Sequence, residues 1–263
     1  MSRISISLPG VIDSPSEATW DDLVLPEHCI QSLQEFVLWV THRDQVELEW
    51  GGRVAGGPIA LLSGPPGTGK TLAGKILANT LGLDLCRIDL ALLVSKYIGE
   101  TEKNLNALFD ALAHEPMLLF FDEADSLFGK RSEVKDAHDR YANLEVNYLL
   151  SRLERYKGPC VLTSNIKDQI DPAFVRRFRF VIDFPIPGEA ERSRLWRLYL
   201  PVGAPIDKDV DTDNLARELE LTGGQIRNAA LHAAFLAAGE SSSITSKHIA
   251  SAVQAELVKT GET

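Results

Sequence analysis

The chain has little cysteine: Cys29, Cys86 and Cys160 are spread over 263 residues with no Cys-x-x-Cys spacing. That excludes a zinc site built on paired thiolates and a disulfide framework, leaving reduced structural thiols. Its six histidines, His138 included, form no ligand-like group. Positive charge is also short. Lys and Arg total 27 against 37 Asp and Glu, a formal net charge of −10. A nucleic-acid partner whose phosphates are held by clustered cations is therefore disfavoured, although a local basic channel is compatible with that total. The N-terminus lacks the charged start and apolar stretch of a signal peptide, and no run approaches a membrane span. The expectation is a cytoplasmic chain with no membrane partner. There is no internal repeat. What remains is ordinary globular composition, 44% hydrophobic and 24% charged, with length for one large domain or a large and a small one.

The most specific feature present is Gly64-Pro65-Pro66-Gly67-Thr68-Gly69-Lys70-Thr71, directly after the apolar run Ile59–Ser63. It matches G-x-x-x-x-G-K-[ST] between a predicted strand and a predicted helix. Glycines there let successive backbone N–H groups converge on phosphate oxygens, and the following helix adds the positive end of its dipole. Lys70 suits the outer phosphates, and the Thr71 hydroxyl suits Mg²⁺. Residues Pro66 to Leu72, counting Gly67, Thr68 and Gly69, are candidate contacts for a nucleoside triphosphate and its Mg²⁺; the family resemblance given below makes the expected nucleotide ATP.

From Ile59 to Phe184 apolar runs alternate with helical patterns. Strands are predicted at 59–63, 85–90, 117–121, 160–164 and 179–184, and helices at 71–81, 102–113 and about 137–154. Met117-Leu118-Leu119-Phe120-Phe121 is apolar throughout, as in a strand covered on both faces. Such alternation predicts an α/β fold with a parallel sheet and ligand at the carboxyl ends of its strands. Beyond Pro187 the pattern is helical at 189–200, 212–219, 224–238 and 246–258. The expected organisation is a flexible N-terminal segment over 1–19, an α/β nucleotide-binding subdomain over 20–187 and a small helical lid over 188–263.

Asp122-Glu123 leaves the third of these strands at its carboxyl end. Asp122 is placed to hold the Mg²⁺ shell and Glu123 to orient and deprotonate an attacking water, although acids also commonly just end a strand. Asn165 follows the fourth strand, where its amide could bond a γ-phosphate oxygen and the lytic water or simply start a turn. Arg176 and Arg177 precede the last strand. They suit charge on a transferring phosphoryl group, or alternatively surface ion pairs of low worth.

Gly64–Thr71, Leu118–Asp125, Thr163-Ser164-Asn165 and Asp171–Phe178 together resemble the Walker A, Walker B, sensor 1 and arginine-finger segments of the AAA family of AAA+ ATPases. The resemblance spans about residues 20 to 258. It implies a five-stranded parallel sheet in the order 5-1-4-3-2, a helical lid, and a ring-shaped homo-oligomer, usually a hexamer. In that ring Arg176 and Arg177 would reach the next subunit's γ-phosphate. Trp20–Val24 resembles the family's adenine-holding segment, making Asp22 and Val24 candidates, and Leu221–Ile226 resembles its lid motif, adding Gly223 and Gly224. Tyr199 stands where a ribose-contacting His is common. Gln225 stands near the sensor 2 position, with Arg227 two residues on, and lid packing is the competing reading for both.

Lys96-Tyr97-Ile98-Gly99 resembles the family's first pore loop, which grips an extended polypeptide in a central channel; the competing reading packs Tyr97 in its own domain. Gly129–Arg140 falls where a second pore loop would be, or forms a solvated helix start. Lys96–Asn104 with Phe128–Asn143 is similar to ATPases encoded with bacterial contractile injection systems. About 58 residues precede the first strand, too few for an ordinary extra domain, so an adaptor would be recruited by that short segment or by another protein. The resemblance implies an ATP hydrolase that remodels, unfolds or translocates polypeptide. The alternative is an ATP-gated assembly or scaffold factor for a larger particle, and a nucleic-acid-dependent motor fits less well.

Overall fold

A computed structural model describes residues 10–13, 16–54, 56–89, 100–112, 117–124, 137–165, 170 and 172–261. The chain divides into two compact units. One comprises the N-terminal residues to Trp20 with Glu27–Gly64 and Lys70–Asp183; the other comprises Asp21–Pro26, Pro65–Gly69 and Phe184–Thr263.

The first unit is built on six strands, β1 (Gly10–Asp13), β2 (Ile59–Ser63), β3 (Asp84–Asp89), β4 (Met117–Asp122), β5 (Cys160–Ser164) and β6 (Phe180–Asp183). They pair in the order β1-β3-β4-β5-β2-β6. The five strands from β2 to β6 are parallel and reproduce the expected 5-1-4-3-2 arrangement, read from the β6 edge. β1 is an addition. Residues 10–13, expected to belong to a loose lead-in, pair antiparallel with β3 from Gly10↔Ile88 to Asp13↔Leu85. Pairing with an open strand edge supplies hydrogen bonds that Pro9-Gly10 and Ser14-Pro15 hide from a local reading.

β2 and β5 are buried at every residue, and β4 at all but its last. The continuous apolar runs are thus explained by cover on both faces. Among the described residues, this unit also holds helices α1 (Glu27–Thr41), α2 (Lys70–Leu81), α3 (Glu100–Ala111), α4 (Ala137–Arg155) and the single turn α5 (Pro172–Val175). α2 buries Ala73, Ile76 and Leu77, the i, i+3, i+4 stripe of a helix lying on a sheet. Its approach is close: a Cβ on Gly74 would fall 2.4 Å from the Phe120 ring. Gly82, at φ 65°, stops the helix.

The second unit holds α6 (Glu189–Tyr199), α7 (Thr212–Glu218), α8 (Gly223–Gly239) and α9 (Ser246–Thr260). Its core surrounds Trp196 and the small face of α8, Ala229, Ala230, Ala233 and Ala237. Both α8 and α9 open with capping boxes, Thr222 with Gln225 and Thr245 with His248.

Candidate functional site

Register brings the carboxyl ends of the parallel strands level. Ser63 lies opposite both Ser164 and Asp183, and Asp89 opposite Asp122. An apolar strand that ends in polar residues delivers them to one edge of the sheet, and here that edge is densely bonded. The Ser63 hydroxyl donates to Asp183 Oδ1 at 2.6 Å. The Thr163 hydroxyl donates to Asp122 Oδ1 at 2.5 Å and accepts the Glu123 N–H at 3.1 Å. The Thr163 carbonyl takes the Ala124 N–H at 2.7 Å. Glu123 is exposed and has φ 53°, in the left-handed region that a residue with a Cβ adopts at a cost of about 1–2 kcal/mol. Asn165, half-buried, directly follows Ser164.

Lys70 opens α2. It is 8% exposed, and its ammonium donates to the Gly64 carbonyl at 2.5 Å. An ammonium so short of water needs acceptors, and the Gly64 carbonyl is one. Thr71 and Leu72, half-buried, follow in the first turn.

The loop apex, Pro65–Gly69, groups with the helical unit. Gly67 and Gly69 have φ of 79° and 103°, so the backbone turns where side chains are disfavoured. Thr68 is buried, its hydroxyl donating to the Pro65 carbonyl at 2.9 Å; Pro66 is exposed. The Gly67 carbonyl accepts the Gly224 N–H at 2.8 Å, and a Cβ on Gly224 would lie 3.0 Å from Gly67 Cα. Gly223 is a little less close, its would-be Cβ 3.3 Å from the Gly67 carbonyl. Val24 is buried in the helical core, and a Cβ on Gly69 would reach Leu23 at 3.3 Å. Tyr199 is half-buried. Burial pushes its phenol up, with Arg227 pulling it down and Asp22 pushing it up, so these three share one environment. Gln225 closes the α8 capping box, its Oε1 accepting the Thr222 N–H at 2.8 Å.

Arg176 and Arg177 lie elsewhere. Exposed, they follow α5 and precede β6, at the amino ends of the strands. Arg179 N donates to the Ile59 carbonyl at 3.0 Å, four residues before Ser63, or about 13 Å along β2. Arg177 pairs with Glu154 at 3.3 Å, and the Arg179 guanidinium stacks over Trp39 at 4.4 Å. These groups line a cavity of about 510 Å³ together with Arg176 and Phe178. Lys96, Tyr97, Ile98 and Gly99, with Gly129–Asp136, lie outside the described residues.

The sequence profile of the ATPase family associated with various cellular activities (AAA) matches residues 60–186, which contain the loop, both carboxylates, Asn165 and the arginine pair. This chain carries an AAA-family ATPase domain. Similar proteins include the Cell division cycle protein 48 homolog of Archaeoglobus fulgidus, 33% identical over 91% of this chain and 32% of that protein. Spastin of Drosophila virilis is 30% identical over 84% of the chain and 29% of its own length, and spastin of Drosophila persimilis 31% over 84% and 28%. The chain thus spans about a third of the length of these curated relatives.

The sequence singled out the ends of β4 and β5, with Thr163 only as part of the segment that resembles sensor 1, and gave no role to Ser63, Thr163, Asp183 or Glu154. Polar residues closing apolar strands marked the positions of the first three but not their partners; Glu154, in the last turn of α4, carried no signal. Among the described residues, no helix is long and apolar enough to cross a membrane.

Proposed function

We propose that this chain hydrolyses Mg-ATP as one subunit of a ring, a hexamer in the family's manner, and uses the energy to remodel, unfold or translocate polypeptide.

ATP and magnesium enter together as the substrate complex, and the residues present suit it. The phosphate loop, Gly67 and Gly69 included, and the start of α2 would offer backbone N–H groups, Lys70 a cation for the outer phosphates, and Thr71 with Asp122 hard oxygen donors. Bound magnesium would neutralise charge on the phosphates. Asp22, Val24, Tyr199, Gly223 and Gly224 would bracket the nucleoside. Glu123 would take the proton of the attacking water, and Asn165 would hold that water against the γ-phosphate.

The observation that carries this reading is the polar edge at the carboxyl ends of β2, β4 and β5, next in sequence to a phosphate loop within an AAA domain. The arginine pair at the opposite ends of the strands supports the ring. Groups about 13 Å along the sheet from Ser63 would sit far from their own nucleotide, which favours a reading in which they serve a neighbour's. Lys96–Gly99 would form the polypeptide grip, and an adaptor would select substrates.

The test is ATPase rate per subunit against protein concentration, with Glu123→Gln, Arg177→Ala and Tyr97→Ala alongside. A rate that climbs with concentration and collapses in the first two variants supports the reading. A rate independent of both concentration and Arg177 refutes sites completed between subunits. Tyr97→Ala should keep ATPase and lose remodelling; remodelling that survives it would point to a scaffold.

A further inference from the structure

We propose that Thr163 is a positioning residue for turnover: through one hydroxyl it sets both the carboxylate of Asp122 and the backbone of Glu123. The inference rests on the reading of Glu123 as the base. Thr163 follows three apolar residues in β5 and is 1% exposed. A hydroxyl so buried needs partners, and this one has two, both on the neighbouring strand end. It donates to Asp122 Oδ1 at 2.5 Å and accepts from the Glu123 N–H at 3.1 Å. Its own carbonyl accepts the Ala124 N–H at 2.7 Å. Three successive residues are therefore tied to one.

The middle residue of the three is the one in an unfavourable conformation. Glu123, at φ 53°, is one of two described non-glycine residues with positive φ. Such a conformation persists only where its surroundings over-determine it. In a continuing strand, residues 122 and 123 would face opposite sides of the sheet. The left-handed turn breaks that alternation directly after Asp122, and the Thr163 hydroxyl bonds on both sides of the break. Neither bond reaches the phosphate loop. Loss of the hydroxyl should therefore disturb the reacting geometry and spare nucleotide binding.

The experiment compares Thr163→Val, Thr163→Ser and Glu123→Gln in steady-state ATPase assays, with affinity for a fluorescent ATP analogue and thermal unfolding as controls. Valine keeps the volume of this buried site and removes the hydroxyl; serine keeps the hydroxyl. The expected result for Thr163→Val is a kcat lower by about 10- to 100-fold, the scale of a small misplacement of reacting groups, with KM and analogue affinity changed less than about twofold. Thr163→Ser should recover most of the rate. Should Thr163→Val fail to fold, Thr163→Ala removes the same hydroxyl without crowding. Wild-type kcat in the hydroxyl-free variant overturns the proposal, as does a loss shared equally by Thr163→Ser. A loss that appears only as weakened nucleotide binding overturns it too. Glu123→Gln separates the two ideas: if it turns over at the wild-type rate, the assignment of the base fails. If it is inactive while Thr163→Val is normal, only the role of Thr163 fails.

Discussion

The two ends of the parallel sheet are built differently. At the carboxyl ends, Ser63, Thr163 and Ser164 are each no more than 1% exposed, and the hydroxyls of Ser63 and Thr163 reach carboxylates at 2.5–2.6 Å. At the amino ends, Arg176, Arg177 and Arg179 are exposed, and the contacts that hold them are a half-exposed ion pair and a stack on Trp39. Hydrogen bonds from buried hydroxyls to charged groups are strong and directional, whereas exposed ion pairs are weak. The first end is set in advance by the fold. The second is loosely held, as befits groups that, on the proposed reading, a neighbouring subunit would finish ordering.

Four variants would break or sharpen that contrast. The largest effect is expected for Arg176→Ala with Arg177→Ala, a loss of about 10³-fold or more in ATPase rate with nucleotide binding intact. A loss confined to binding would mean the arginines serve their own site. Glu123→Gln should lower the rate by about 10²- to 10⁴-fold while retaining ATP, read by single-turnover hydrolysis. Gly74→Ala attacks the carboxyl end through its support. The added methyl meets the buried Phe120 ring and should cost about 1–3 kcal/mol. The unfolding midpoint would then fall by roughly 2–10 °C; an unchanged midpoint would mean that α2 can lift off the sheet freely. Glu154→Gln should do least. Loss of a half-exposed pair is worth about 0.2–1 kcal/mol, so the midpoint should barely move and Arg177 should remain active. A collapse of activity there would show the amino end to be as tightly set as the other.

Much of this was legible beforehand, for reasons that particular residues make plain. Met117–Phe121 read as a doubly covered strand because burial on both faces leaves no polar alternation to find. The phosphate loop and the acids after β4 announced themselves because their chemistry depends on fixed local spacing. β1 did not, since four residues between turn formers acquire strand character only from β3, more than 70 residues away. Thr163 stayed hidden for the same reason. Its bond to Asp122 spans 41 positions, and nothing local distinguishes a strand-end Thr that holds a carboxylate from one that faces water. Glu154 and Arg177, 23 positions apart, are a further case: each reads alone as a solvated surface charge.

The antiparallel strand β1 has a practical consequence. It covers the backbone of β3, which would otherwise end the sheet with a row of unpaired N–H and C=O groups. Trimming the chain past Asp13 would leave the nucleotide chemistry in place and uncover a sticky edge. The trimmed protein should be lost to aggregation before it is lost to inactivity.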